Sequence, residues 1–204
     1  MQRKGRRSND ERSATTRQAL VSASRALFVE KGYAQTSTPE VVAAAAVTRG
    51  ALYHHFEDKQ ALLRAVLERE FAELRRAIDA ATPPGLDARE ALIAGSLAYL
   101  DAMAVPGRTR LLLVDGPAVF GHAEMMALDD ATAAGSLREG LAAVLGEGPF
   151  LPALASLLSA AFDRAALAIS SGGDARTYRA AMLALIERVI AGAALNQPGP
   201  PADG

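Results

Sequence analysis

Residues 36–59 read TSTPEVVAAAAVTRGALYHHFEDK, packing two helix starts, an alanine run and a Tyr-His-His cluster into one short stretch. Ser37 precedes Glu40 by three residues, the spacing at which each side chain satisfies a backbone N–H of the other's turn. Pro39 suits a first helical turn, where its missing N–H costs nothing. These signals predict a helix at about 38–45, and Thr48 offers a second N-cap hydroxyl to a short helix reaching His55. The small residues Ala43 to Ala46 let the two backbones approach closely, with Val47 plugging the turn between them. At about 100° per residue, Leu52 and Phe56 point one way, while Gly50, Ala51, Tyr53 and His54 spread over the remaining surface.

Working outward, Ala19, Leu20, Ala23, Ala26, Leu27 and Phe28 recur at helical spacing, so a first helix should start near 11–15 and stop at Gly32. Downstream, Asp58 can cap a helix whose stripe of Leu62, Leu63, Val66, Leu67, Phe71, Leu74 and Ile78 runs to Ala81, where TPPG ends it. Further helical patterns cover about 86–104, 107–115, 121–145, 149–170 and 174–194, separated by VPG, DGP, GEGP and SGGD, with Gly135 and Gly140 weakening the third. The chain holds 45 alanines and few aromatic or β-branched residues, which favours helices over strands. The expected fold is all-α. A basic arm at 1–12 leads into a three-helix head at 13–58; a larger bundle of about six helices follows at 59–195, with a tail at 196–204.

Net charge is −1, yet residues 1–59 carry 10 Lys/Arg against 6 Asp/Glu and the remainder 12 against 17. A head at +4 on a body at −5 is the layout of a protein whose one end meets a polyanion; a solvated basic tail gives the same numbers. No cysteine is present, so disulfide frameworks and thiol chemistry are excluded, in keeping with a reducing cytoplasm. The longest uncharged apolar run, 148–162, is shorter than the roughly 20 residues that span a bilayer, and no signal-peptide core opens the chain, so no membrane partner is expected.

A helix, a second short capped helix, a tight turn and a third short helix, all inside about 45 residues, form the layout of a helix-turn-helix reader. Gly50 and Ala51 would let the helix start sit deep in a major groove, with Arg49 reaching guanine O6/N7 and Thr48 or Ala51 touching thymine methyls. Tyr53, the Thr38 hydroxyl, Lys59 and the N–H groups at the helix starts suit phosphate oxygens. The stretch resembles the DNA-binding region of TetR-family transcriptional repressors, whose pattern is a Thr-rich start, an apolar second helix, a GVS turn and LYxxF before a lysine. The match extends back through LFVEKGYAQTS and covers about residues 14–67. The resemblance implies phosphate contacts for Thr38, Tyr53 and Lys59, base reading near Thr48, Arg49, Gly50, Ala51 and His54, and a backbone contact for His55. Two departures stand out: Ala46 replaces the usual turn glycine, and Pro39 occupies a position that contacts DNA in some members.

The resemblance further implies a helical C-terminal domain that forms a homodimer through its last two long helices, here about 149–194, and holds a ligand pocket. Candidate seam residues are Leu154, Leu157, Leu158, Ala161, Ala165, Met182, Leu185, Ile186 and Val189. Candidate pocket residues are Phe71, Tyr99, Met103, Leu112, Phe120, Met125, Met126 and Phe162, with Asp115, His122 and Arg164 as polar anchors; plain core is the competing reading of such a stripe. An apolar lining favours a lipophilic or aromatic effector.

His54 and His55 face different directions and His122 lies far along the chain, so no zinc site is indicated. No Walker, Rossmann or G-x-S-x-G element is present, and the acidic pairs Glu68/Glu70 and Asp129/Asp130 read as solvated helix faces, so no catalytic residue, cofactor or metal is assigned. The expected function is a dimeric, cytoplasmic regulator that binds a palindromic operator and is released by a small apolar ligand. The alternatives are a helical ligand-binding or scaffold protein without operator binding, and a small helical enzyme acting near His122 and Asp115.

Overall fold

The structure, a computed structural model, describes residues 9–195. The expected tail at 196–204 and the first eight residues of the expected arm lie outside the described residues. Every regular element among those described is helical. The head contains α1 (Asn9–Lys31), α2 (Thr38–Ala44) and α3 (Arg49–His55). The body contains α4 (Lys59–Ala81), α5 (Ala88–Met103), α6 (Arg108–Arg110), α7 (Gly116–Phe120), α8 (His122–Asp130), α9 (Ala133–Leu145), α10 (Leu151–Ser170) and α11 (Ala175–Leu195).

The helix starts follow the sequence signals. Ser37 N–H and Oγ both donate to Glu40 Oε2, at 2.9 and 2.8 Å. Thr48 Oγ1 accepts from Ala51 N at 3.1 Å, Asp58 Oδ1 from Ala61 N at 2.7 Å, and Asp87 Oδ1 from Glu90 N at 2.8 Å. The first helix is already formed at Asn9, where the described residues start, ahead of the expected 11–15.

Two boundaries depart from expectation. A π-helical segment, Leu111–Asp115, joins α6 to α7, so the helix passes through Asp-Gly-Pro instead of stopping there. Gly116 N–H reaches back five residues to Leu111 O, and this wider register carries the chain past Pro117, which has no N–H to donate. The expected helix at 121–145 is divided at 131–132, where Thr132 leaves helical geometry; the interruption falls before Gly135 and Gly140.

Two apolar cores result. One, around Phe28, Val41, Leu52, Leu63, Val66, Phe71 and Leu111, ties the head to α4 and the π-segment. The other, around Leu92, Leu141, Leu158, Phe162, Met182 and Ile186, binds α5, α9, α10 and α11. Four expected seam residues, Leu158, Ala165, Met182 and Ile186, are therefore buried inside their own chain, whereas Leu157 and Leu185 are exposed. By length and composition α10 is apolar enough to cross a membrane, contrary to the run-length argument, because Asp163 and Arg164 divide an otherwise continuous apolar helix. It packs against α5, α9 and α11 with much of its apolar surface left outward.

Candidate nucleic-acid interface and effector cavity

The turn between α2 and α3 forms a complete helix stop. Val47 N–H donates to Val42 O at 3.2 Å and Ala46 N–H to Ala43 O at 3.1 Å, the paired bonds of a Schellman motif. That motif needs a left-handed residue, and Ala46 supplies it at φ 53°, the lone positive-φ residue other than glycine among those described. The alanine run thus serves three purposes: Ala43 and Ala44 face solvent, Ala45 packs on the core, and Ala46 makes the turn. Only Ala45 fits the close-approach reading made of the whole run.

On α3, Leu52 is fully buried and the Phe56 ring lies beneath, while Thr48, Arg49, Gly50, Tyr53 and His54 are exposed and Ala51 and His55 half-buried. The Arg49 guanidinium stands 5.5 Å from the Tyr53 ring centre. Thr38, and then Arg49, hold the Tyr53 phenol below its ordinary pKa by hydrogen bonding, which groups three candidate DNA contacts from two helices. Pro39 is exposed in the first turn of α2 beside Thr38. The His54 and His55 rings are 5.1 Å apart, and burial, then His54 and Arg17, lower the His55 pKa, favouring the neutral ring.

Lys59 takes a different position from the one expected. Its ammonium donates to Tyr33 O and Thr36 O, both at 2.9 Å, and to Ala34 O at 3.4 Å, over the Tyr33 ring. With its donors committed to carbonyls of the α1–α2 loop, Lys59 fixes the head rather than presenting a free cation. Glu40 does related work: its bonds from Lys31, then Ser37, hold its carboxyl down to about 2.

Head and body meet at a buried ionic junction that the sequence reading missed. Glu70, taken there as a solvated acid, is fully buried; Glu68 is exposed. Arg25 of α1 binds Glu70 through Nε at 2.7 Å and Nη2 at 3.2 Å, and also reaches Pro106 O at 3.1 Å. Arg108 donates to Glu70 at 2.9 Å, Glu73 at 2.7 Å and Ala102 O at 2.9 Å. Burial alone would raise the Glu70 pKa; the two guanidiniums override it and hold it below the ordinary value. The signal was available: Glu70 falls four residues after Val66 and four before Leu74, inside the apolar stripe of α4.

Three cavities lie in the body: one of about 360 Å³, bordered by Leu100, Pro106, Arg110 and Ile169, and two that share Tyr99. The larger of these two, about 290 Å³, lies between α4, α5, α9 and α10, with Ile78, Leu92, Gly95, Tyr99, Gly140, Ser159 and Phe162 in its wall. The smaller, about 160 Å³, gathers Phe71, Tyr99, Met103, Leu112, His122, Met125, Met126, Asp129 and Asp163. Most sequence-predicted pocket residues are thus brought together, with Phe162 on the larger side. Three are not. Asp115 pairs with Arg110 at 3.3 Å, the Phe120 ring lies 4.7 Å from the Arg64 guanidinium, and Arg164 is exposed. Asp129, read as solvated, is half-buried, and burial followed by repulsion from Asp163 raises its pKa to about 6.

The family model for bacterial regulatory proteins of the tetR family matches residues 20–66, and that for the tetracyclin-repressor-like C-terminal domain matches residues 89–193. The TetC protein of transposon Tn10 from Escherichia coli is 48% identical over 56 residues, 28% of this chain and 28% of that protein. The HTH-type transcriptional repressor DhaR of Mycobacterium sp. strain GP1 is 40% identical over 73 residues, 33% of this chain and 37% of its own length. These alignments span little more than a third, at most, of the curated relatives. A solved TetR-family transcriptional regulator from Pectobacterium atrosepticum superposes with a TM-score of 0.69 at 32% identity, covering 91% of this chain and 97% of that one.

Proposed function

The chain belongs to the TetR family of bacterial regulatory proteins, and from that premise we propose that it is a non-enzymatic cytoplasmic repressor whose dimer binds a palindromic operator and is released by a small ligand. The observation that carries this reading is the outward face of α3, where Arg49, Gly50, Tyr53 and His54 stand exposed on a helix locked beneath by Leu52 and capped by Thr48. Arg49 is the base reader, able to present paired donors to guanine, with Gly50 and Ala51 giving the backbone room to approach. Thr38, Tyr53 and the exposed helix starts hold phosphates, and Lys59 supports them by fixing the loop before α2. The head alone could touch only one half-site. The exposed Leu157 and Leu185 on α10 and α11 supply an apolar surface for a second copy, which would set two α3 helices in successive major grooves.

Release by a ligand follows from the path between cavity and head. Leu112 and Leu113 in the wall of the smaller cavity belong to the π-segment that continues from Arg108, and Arg108 shares Glu70 with Arg25 of α1. A ligand that favours another position of this segment by about 1–3 kcal/mol would shift the spacing of the heads. One that binds both states equally would change nothing, however tightly it bound.

Fluorescence-anisotropy titration against labelled DNA from upstream of the chain's own gene, with scrambled competitor and a salt series, tests the reading. Saturable binding that survives competitor and drops in Arg49→Ala is expected. Equal affinity for scrambled DNA at every salt concentration would overturn it in favour of a helical scaffold.

A further inference from the structure

A polar layer lies where the two cavities adjoin. Tyr99 borders both, and its hydroxyl donates to Asp163 Oδ1 at 2.5 Å. Ser159, in the wall of the 290 Å³ cavity, donates to Asp129 Oδ2 at 3.5 Å. Both carboxylates open into the smaller cavity, and among the described residues neither forms an ion pair. The contrast with Glu70 is instructive, since that buried carboxylate has two guanidiniums. Apart from the exposed His122, which acts on Asp163 to lower its pKa, the wall around Asp129 and Asp163 is apolar or aromatic, including Phe71, Met103, Leu112 and Met125.

Two carboxylates in an apolar cavity without a cation are costly unless something neutralises them. Burial raises the pKa of both acids, the direction expected where a carboxylate charge is poorly met. A neutral hydrocarbon ligand would fill the walls and leave the charge unmet. An anion would be repelled. A cation satisfies both the walls and the acids, and the Phe71 ring and methionine sulfurs are favourable surroundings for its charge-bearing end.

We infer that the effector is a lipophilic monocation, an aromatic or branched alkyl amine or ammonium, whose charge sits at Asp129 and Asp163 while its apolar body occupies the adjoining cavity space. This rests on the effector-binding role proposed above for the body.

Matched fluorescent probes test it on the full-length protein. 1-Naphthylmethylamine, 1-naphthylmethanol and 1-naphthoate share a ring system and differ in charge, and each is titrated at neutral pH. The amine should bind at least about tenfold more tightly than the alcohol, and the naphthoate most weakly, as expected for a charge pair at short range in a partly buried site. In Asp129→Asn/Asp163→Asn, with fold checked by circular dichroism, amine and alcohol should come within about threefold of each other. An alcohol or naphthoate that matches the amine in the wild-type chain, no binding of the amine, or a double variant that keeps the preference would each overturn the inference. Should the double variant not fold, the wild-type ranking decides alone. An overturned ranking beside intact operator binding strikes only the cation assignment, whereas loss of operator specificity strikes the regulatory reading and leaves the ranking standing.

Discussion

Replacing Ala46 by glycine should stabilise the protein. Ala46 sits at φ 53°, where an L-residue's Cβ crowds the following carbonyl at a cost of about 1–2 kcal/mol. Its methyl is exposed, so removing it opens no cavity and forfeits little burial. Against this, glycine loses about 0.5–1 kcal/mol more backbone entropy on folding. The net expectation is a gain of about 0.5–1 kcal/mol, or roughly 1–4 °C in Tm for a chain of this length. Ala43→Gly supplies the contrast: it is also exposed, but lies within α2, where the entropy cost of glycine is uncompensated and should remove about 1 kcal/mol. Urea unfolding followed by circular dichroism, at one fixed protein concentration because the stability of the proposed dimer would depend on it, should therefore move the two midpoints in opposite directions with unchanged m-values. Parallel losses in both variants would refute the argument that the turn stores strain at Ala46.

Thr48→Ala removes the acceptor of the Ala51 N–H bond and should cost about 1 kcal/mol in the same urea assay, with a weaker operator complex by anisotropy; unchanged stability would mean that the cap contributes nothing. Glu70→Gln leaves two guanidiniums around a neutral amide and should cost roughly 3–5 kcal/mol at neutral pH. Because the folded-state pKa of Glu70 lies below its unfolded value near 4.5, its stabilisation is present above that pH and lost as pH falls through the lower folded value, so the variant should have a flatter acid limb in a pH series of urea midpoints. Asp129 has the opposite sign: its folded pKa of about 6 exceeds the unfolded value, so stability is lost as pH rises through about 6, and Asp129→Asn should exceed wild type at pH ~7.5 and converge with it near pH ~4. Leu157→Glu places a charge on the outward face of α10 and should halve the mass in sedimentation equilibrium; a retained dimer would move the interface elsewhere.

The head was legible because its determinants are local. Ser37 with Glu40, Thr48 and Asp58 each act within one helical turn, so spacing alone located α2, α3 and α4 within a residue or so. Contacts that join distant segments were not legible in the same way. Nothing near Lys59 indicates that its ammonium reaches back to Tyr33 O and Thr36 O, and nothing near Arg25 names Glu70 as its partner. The two misread acids share one cause. Glu70 and Asp129 were assigned by residue type, although position within an apolar stripe decides which side of a helix an acid occupies. The π-segment escaped for another reason: Gly116-Pro117 ordinarily stops a helix, and only the five-residue bond from Gly116 to Leu111 O shows how the chain continues.

The junction between head and body has the features of a two-position device. A Cβ on Gly107 would fall 2.3 Å from Val29 Cγ2, and one on Gly32 would fall 2.5 Å from an Arg110 guanidinium nitrogen, so the Val29 side chain of α1 rests on the Gly107 backbone and the Arg110 side chain on the Gly32 backbone. Contacts this close and the directional bonds of Arg25 and Arg108 to Glu70 weaken steeply within about an ångström of displacement. Gradual tilting would forfeit them together, leaving the head either seated on α6 or released from it, and packed interfaces of this kind shift between discrete arrangements instead of bending. On the proposed reading, an effector need not push the head through a long path. It need only favour a position of the π-segment in which Arg108 no longer meets Glu70, and the buried charges left behind then oppose any intermediate position.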